Sequence, residues 1–372
     1  MALIYDVSFD SGTRVLSLLD KAGNVISSCE VPSKAVDDIM KPLTFKATKD
    51  GSTVTLKKTG SPSGDFQTSR DGGNTWTDYT IDTAITLNTG DEVSFRAKAN
   101  RTSKQSRRDH FYFGMAGKIE AWHNVMSLYR TNDFATYNTL VEAAFNSLFY
   151  NCTSLTKAPV LPATTLATDC YEYMFSGCQS LTKAPELPAT TLVFGCYSSM
   201  FDGCQSLTKA PVLPATTLAD YCYYLMFAGC QSLTIAPVLP ATTLASNCYQ
   251  LMFDGCYSLT KAPELPATTL AKNCYAGMFS RCYSSLTRAP ELPATILAQG
   301  CYSGMFASCQ SLKEVRISAT KTATDALTNW LSGVSATGDF YCNPNATIFP
   351  TDSVSGIPSG WRRLNINDYP TT

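Results

Sequence analysis

The chain has 372 residues, 44% of them hydrophobic and 16% charged, which describes an ordered protein of two or three structural units and excludes general disorder. With 29 Lys and Arg against 30 Asp and Glu, the formal net charge is −1, so no global attraction draws it to nucleic acid or to an anionic membrane. His110 and His123 are the only histidines, a poor basis for histidine catalysis or a histidine-rich metal site, and no run of about 18 apolar residues offers membrane insertion.

The opening Met1-Ala2-Leu3-Ile4-Tyr5-Asp6 lacks the basic start, apolar core and small-residue cleavage site of a secretory signal. The expectation is a chain made and folded in a cytoplasm, where its fifteen cysteines stay reduced. Residues 1–40 read as a hairpin and attachment segment, with strands at 14–19 and 25–31 around the turn Asp20-Lys21-Ala22-Gly23-Asn24 and an end at Pro32. A lone hairpin is marginal in water, so this one is expected to dock on a partner or a neighbouring subunit.

Residues 41–120 alternate apolar with polar side chains at 43–47, 53–57 and 91–97, with turn chemistry at Asp50-Gly51, Gly60-Ser61-Pro62 and Thr89-Gly90. A small antiparallel sandwich is predicted. Within it, Ser69-Arg70-Asp71-Gly72-Gly73-Asn74-Thr75-Trp76 matches the SxDxGxTW pattern of an Asp-box, read as a hairpin tip rather than a catalytic feature. Arg96, Lys98, Arg101, Lys104, Arg107 and Arg108, without interleaved aromatics, read as a solvated hairpin loop, with contact to an anionic surface or glycan as the lesser alternative.

Residues 121–150 lead into a repeat and read as its N-terminal cap: Ala144, Phe145, Leu148 and Phe149 stand 26 residues before Cys170, Tyr171, Met174 and Phe175. The regular body occupies 151–315. Cys152, Cys178, Cys204, Cys230, Cys256, Cys282 and Cys309 recur at 26 residues five times and then at 27, the extra residue falling in Tyr283-Ser284-Ser285-Leu286. A second series, Cys170, Cys196, Cys222, Cys248, Cys274 and Cys301, keeps step.

In the copy CQSLTKAPVLPATTLADYCYYLMFAG (204–229), residues 206–210 are predicted to be a short strand and 215–219 a second extended piece, kept brief by Pro211 and Pro214. The repeated Thr positions suggest a ladder of like side chains, broken at Thr295-Ile296. Cys222, Met226 and Cys230 fall at i, i+4 and i+8 beside Tyr223 and Phe227, the spacing of one apolar face of a short helix closed by Gly229. Stacked copies would bury that face as a continuous core. Two helical cysteines eight residues apart lie about 12 Å apart, beyond disulfide reach, and the spacing is not that of a zinc site. Core thiols are expected, with no metal and no cofactor.

The motif LxxAPxLPATTLAxxCYxxMFxGCxSL resembles a BspA-type leucine-rich repeat, found in surface proteins of gut Bacteroidales and in the bacteriophages that infect them. Phe175-Ser176-Gly177-Cys178 matches that family's FxxC step and Leu187-Pro188 its LP step. The resemblance implies a leucine-rich-repeat solenoid of short strands and short helices, preceded by the small antiparallel β-domain. Residues 316–372, with Gly338-Asp339-Phe340-Tyr341-Cys342-Asn343-Pro344 and Trp361, are similar to the segment closing such arrays; Phe340 and Trp361 would cover the last coil. Gly23-Asn24-Val25-Ile26-Ser27-Ser28 is similar to N-termini of phage structural proteins.

Two pairs vary between copies, one before the second cysteine (from Thr168-Asp169 to Gln299-Gly300) and one after Cys-Tyr (from Glu172-Tyr173 to Ser303-Gly304). They are expected on one side of the solenoid. Drift of exposed positions is one reading; the other is a binding face formed by Tyr173, Phe194, Tyr221, Tyr224, Leu225, Asn247, Gln250 and Lys272. The functional expectation is a non-enzymatic bacteriophage virion protein, a fibre or decoration, assembled in the host cytoplasm. It would bind a host cell-surface protein or glycan through the array and other virion proteins through its N-terminal segment, as a homo-oligomer such as a trimer. The alternatives are a bacterial cell-surface adhesin whose signal was removed, and a glycan-processing enzyme resting on the Asp-box; no paired-carboxylate or nucleophile constellation marks the latter.

Overall fold

The computed structural model describes residues 6–10, 15–19, 25–30, 38–283, 286–351, 353 and 355–369. At the N-terminus, β1 (Asp6–Asp10), β2 (Val15–Leu19) and β3 (Val25–Glu30) pair antiparallel in that order. The expected two-stranded hairpin thus gains a third strand, while its turn at 20–24 lies outside the described residues, as do Ser284 and Ser285 of the longer repeat.

The next unit consists of two sheets. Strands β4 (Thr44–Ala47), β6 (Phe66–Ser69), β7 (Thr77–Tyr79), β9 (Glu92–Ala97), β11 (Ile119–Trp122) and β12 (Leu155–Lys157) form a six-stranded sheet in the order β12-β11-β4-β9-β6-β7. Strands β5 (Ser52–Thr59), β8 (Ile85–Leu87) and β10 (His110–Ala116) form the other, in the order β10-β5-β8. Alternation drives Phe45 and Phe95 of one sheet against Phe113 of the other, at 4.7 and 5.3 Å between ring centroids. The Asp-box joins β6 to β7. Asp71 Oδ1 accepts from the Ser69 hydroxyl at 2.6 Å and from the Thr75 N–H at 2.9 Å, and the Trp76 indole donates to the Gly73 carbonyl at 2.9 Å. These bonds close a turn and leave its carboxylate engaged in structure, held below the usual carboxylate range first by Ser69 and then by Thr75.

This β-core runs into the array without a break. Phe113 stacks on Phe149 at 5.5 Å, and Phe149 begins a column continued by Phe175, Phe201, Phe227, Phe253, Phe279 and Phe306. A parallel column passes from Tyr129 and Phe145 through Tyr171, Tyr197, Tyr223, Tyr249 and Tyr275 to Tyr302. Both end on Trp330, which Phe340 and Phe349 cover. Phe340 therefore helps close the array, but the ring that meets the last coil is Trp330, not Trp361. Trp361 belongs to β15 (Trp361–Asn365), which pairs parallel with β14 (Gly338–Cys342), and β14 with β13 (Glu314–Arg316).

The short helix expected in each copy does not form. Among described residues 222–230 the chain makes successive turns, with Tyr221, Leu225 and Gly229 at φ of 59°, 54° and 67°. A left-handed residue at every fourth position stops helix propagation. The backbone bonds then divide by parity. Tyr223, Leu225, Phe227 and Gly229 donate to the next coil, at Cys248, Gln250, Met252 and Asp254 (3.0, 3.0, 3.0 and 2.7 Å). Tyr224, Met226 and Ala228 donate three residues back within their own coil (3.2, 3.2 and 3.1 Å). A four-residue turn period also brings Cys222, Met226 and Cys230 to one face, which is why the spacing mimics a helix.

On the opposite side of each coil, the strand expected at 206–210 contracts to isolated parallel bridges, Lys183 with Lys209, Lys209 with Ile235 and Ile235 with Lys261. Prolines lacking donors keep it from growing. The repeated threonines meet as backbone bridges, Thr191 with Thr217 and Thr243 with Thr269.

The fourteen thiols from Cys152 to Cys342 are buried and free. Cys204, Cys230 and Cys256 each donate through Sγ to a phenylalanine carbonyl of the preceding coil, Phe175, Phe201 and Phe227, at 3.1, 3.2 and 3.1 Å. Sulfur here is a small hydrophobe with a weak donor.

Candidate functional site

The two variable pairs of each copy straddle left-handed positions. The second member of each pair is a positive-φ residue: Asp169, Gly195, Tyr221, Asn247, Asn273 and Gly300 in one set, Tyr173, Ser199, Leu225, Leu251, Gly277 and Gly304 in the other. The frame therefore restricts these positions more than sequence variation suggests. Gly, Asn and Asp suit such a backbone, whereas a bulky side chain there is an outlier costing on the order of 1 kcal/mol or more. Tyr173, Tyr221, Leu225 and Leu251 occupy it nonetheless.

The geometry gathers part of the expected face into a strip. Phe194 and Tyr221 lie 5.6 Å apart and Tyr221 and Tyr224 5.7 Å, with Phe194 47% and Tyr221 37% exposed. Tyr224 is half-buried, and its phenol is pushed up first by burial and then by the phenols of Tyr173 and Tyr221. Tyr173 stands at the other end of the strip, edge-on to Tyr150 at 6.4 Å. Ser198 and Ser199, small and buried, occupy the coil between Tyr173 and Tyr224.

Leu225 is half-buried beside Tyr224. Asn247 is buried and accepts at Oδ1 from the Asn273 amide at 3.1 Å, so its side chain serves the stack rather than solvent. Gln250 is half-buried and its carbonyl accepts from the Leu225 N–H at 3.0 Å; Lys272 is exposed one coil further on. Aromatic spacing alone could not locate Tyr112 and Tyr150, which join Tyr173 at the start of the array; their partnership depends on how the β-domain docks.

The basic segment is solvated in part, with Lys98, Lys104, Arg107 and Arg108 exposed, but it also performs that docking, and its reading as a solvated loop fails at Arg101. Between β9 and β10, the Arg101 guanidinium is buried over Phe66, Phe111 and Tyr129 at 5.3, 4.9 and 4.4 Å and donates to the Leu128 carbonyl at 3.0 Å. Gln105, also buried, donates to the Tyr129 hydroxyl at 2.8 Å. Arg107 grips the buried Glu172 of the array with both Nε and Nη2, the former at 2.8 Å, and Asn146 donates to the same carboxylate at 2.8 Å. Lys104 pairs with Glu142 at 3.0 Å. A charge run with good partners folds into an interface.

Among the described residues, no group of three or more His, Cys, Asp or Glu side chains is placed to hold a metal ion, and no helix is long and apolar enough to cross a membrane. A family model described as BspA type Leucine rich repeat region matches residues 136–260 in six copies. No curated protein and no solved structure matches the chain. Over that third of the chain the repeat is similar to the BspA-type leucine-rich repeat, a family typical of surface and adhesion repeat proteins.

Proposed function

We propose that this protein is a non-enzymatic surface module of a bacteriophage virion, a fibre or decoration, which adheres to a host cell through the aromatic strip of its array. The observation that carries the reading is the strip itself: Tyr173, Tyr221 and Leu225 sit at φ of 55°, 59° and 54°, where glycine or asparagine stands in other copies. Side chains kept against backbone preference, on a half-exposed face, support a binding role rather than drift. The reduced thiols support assembly in a cytoplasm, because Cys204, Cys230 and Cys256 serve as donors only as thiols. The N-terminal sheet of β1, β2 and β3, a separate three-stranded unit, would carry the attachment to other virion proteins and to sister subunits.

Two measurements test this. Mass spectrometry of purified particles should find the chain in virions; its recovery from bacterial envelopes alone would make it a cell-surface adhesin instead. Replacing Tyr221 and Tyr224 together with serine should abolish most binding to host cells while leaving the thermal transition in place, and unchanged binding would remove the strip from the function.

A further inference from the structure

We infer that the cleft where the β-domain meets the first coils is a binding site for a neutral saccharide. The inference deepens the adhesion reading and rests on it only for the kind of surface the protein meets. The cleft encloses about 610 Å³, within the roughly 300–1,000 Å³ of small-ligand sites. One wall is β10. Because Phe111 and Phe113 point into the core, His110 and Tyr112 lie on the strand's other face, and His110 is the direct cross-strand partner of Thr59 on β5. The opposite wall is the array, through Ser147, Tyr150 and Tyr173. The walls are pinned together by the Phe113 N–H donating to the Leu148 carbonyl at 2.7 Å and by the Arg107 grip on Glu172.

The chemistry of this lining selects the ligand. Tyr150 is 47% exposed and stands edge-on to Tyr173, so two ring surfaces at 88° present themselves to the cleft. The hydroxyls of Thr59, Tyr112, Tyr150 and Tyr173 have no protein hydrogen-bond partner among the described residues. The charged and amide groups present are already answered: Arg107 is paired with Glu172, Asn146 is held by the same carboxylate, and burial favours the neutral form of His110. Rings for C–H faces, open hydroxyls for hydroxyls and no spare charge describe a neutral sugar rather than an acidic one. Tyr173 belongs both to this cleft and to the strip that continues through Tyr224 and Tyr221, so a chain of sugars could enter the cleft and extend along the array.

The test is a glycan array printed with neutral oligosaccharides and with their sialylated or uronate-bearing counterparts, probed with the full chain. Neutral glycans should be retained. Tyr112→Ala and Tyr150→Ala should each weaken retention about tenfold or more. Tyr173→Gly should do the same without lowering the melting temperature, because glycine accepts φ of 55° without strain. Full retention by all three variants, preference for acidic glycans, or no retention of neutral glycans would each overturn the site. If cells are still bound while neutral glycans are ignored, the saccharide assignment fails and adhesion stands; if neither is bound, both fail.

Discussion

Each coil of the array has two unequal sides. Along the turn side of residues 195–203, Gly195, Tyr197, Ser199, Phe201 and Gly203 all donate to the next coil, at 3.2, 3.1, 2.7, 3.0 and 2.7 Å. Along the proline side of the same coil, Pro211 and Pro214 have no N–H to offer, and the contact with the next coil includes a single bridge from Lys209 to Ile235. The turn side carries the stacked rings and the thiols, whereas Val212 and Ile235 on the proline side are 69% and 70% exposed. Cohesion is therefore concentrated on one side, and perturbations of equal chemical size should differ sharply in effect between the two.

Alkaline pH should expose this asymmetry most strongly, because the thiols of the array's two cysteine series are buried. Burial pushes Cys170 and Cys248 up to about 12 from an ordinary value of 9.0. A group whose pKa is raised by folding stabilises the native state fully below its unfolded pKa. That stability is lost as pH rises toward the folded pKa, since only the unfolded chain then gives up the proton. The window is pH 9 to about 12. Each thiol contributes a loss of about 1.4 kcal/mol per pH unit above the unfolded value. Urea midpoints under reducing conditions should be level from pH 7 to 8.5 and fall steeply above 9; a level profile to pH 10.5 would mean the thiols are open to solvent.

A matched pair of truncations sharpens the contrast. Phe227→Ala removes a ring stacked on both sides, at 5.6 Å from Phe201 and 5.8 Å from Phe253, and should cost about 3–5 kcal/mol. Ile235→Ala, one repeat side away, should stay within about 0.5 kcal/mol. Equal losses in denaturant titrations would show that the proline side is buried in solution, by another copy or by a partner.

What the chain discloses about itself follows the same division. Two-residue alternation at 43–47 and 91–97 has one structural solution, and strands β4 and β9 lie within those stretches. The Cys222, Met226, Cys230 spacing has two, because residues four apart share a face both in a helix and in a run of four-residue turns. The deciding signal lay in the positions set aside as variable: Gly195, Asn247, Asn273, Gly277, Gly300 and Gly304 are residues that accept positive φ, placed every fourth position. The role of Arg107 could not be read at all, since its partner Glu172 is 65 residues away and is one member of a variable pair. The aromatics of the strip, Tyr173, Phe194, Tyr221 and Tyr224, are legible as variable positions, whereas the cleft needs the docking that brings Tyr112 to Tyr173.

That docking gives the next test. Arg107→Ala would leave the buried carboxylate of Glu172 with Asn146 as its remaining side-chain partner, an expected loss of about 1–3 kcal/mol. The double change with Glu172→Gln should recover much of it, because the amide no longer carries a charge to be answered. Non-recovery in a double-mutant cycle would assign Arg107 a packing role in place of an electrostatic one.

The smallest effect concerns the tyrosine column, where ring and hydroxyl make opposite contributions. Tyr197 stacks between Tyr171 and Tyr223 at 5.8 and 5.9 Å, yet its hydroxyl is buried with no protein partner, as are those of Tyr171 and Tyr249. Phenylalanine would keep the stack and delete an unanswered polar group, so Tyr197→Phe should leave stability unchanged or raise it by up to about 1 kcal/mol. The phenylalanine column beside it shows that the stacking itself does not require the hydroxyl, with Phe201 and Phe227 at 5.6 Å and their rings nearly parallel. A loss of about 1 kcal/mol in thermal or chemical melts would mean that the hydroxyl is satisfied in solution by water held along the column, and the turn side would then owe part of its cohesion to a buried polar chain.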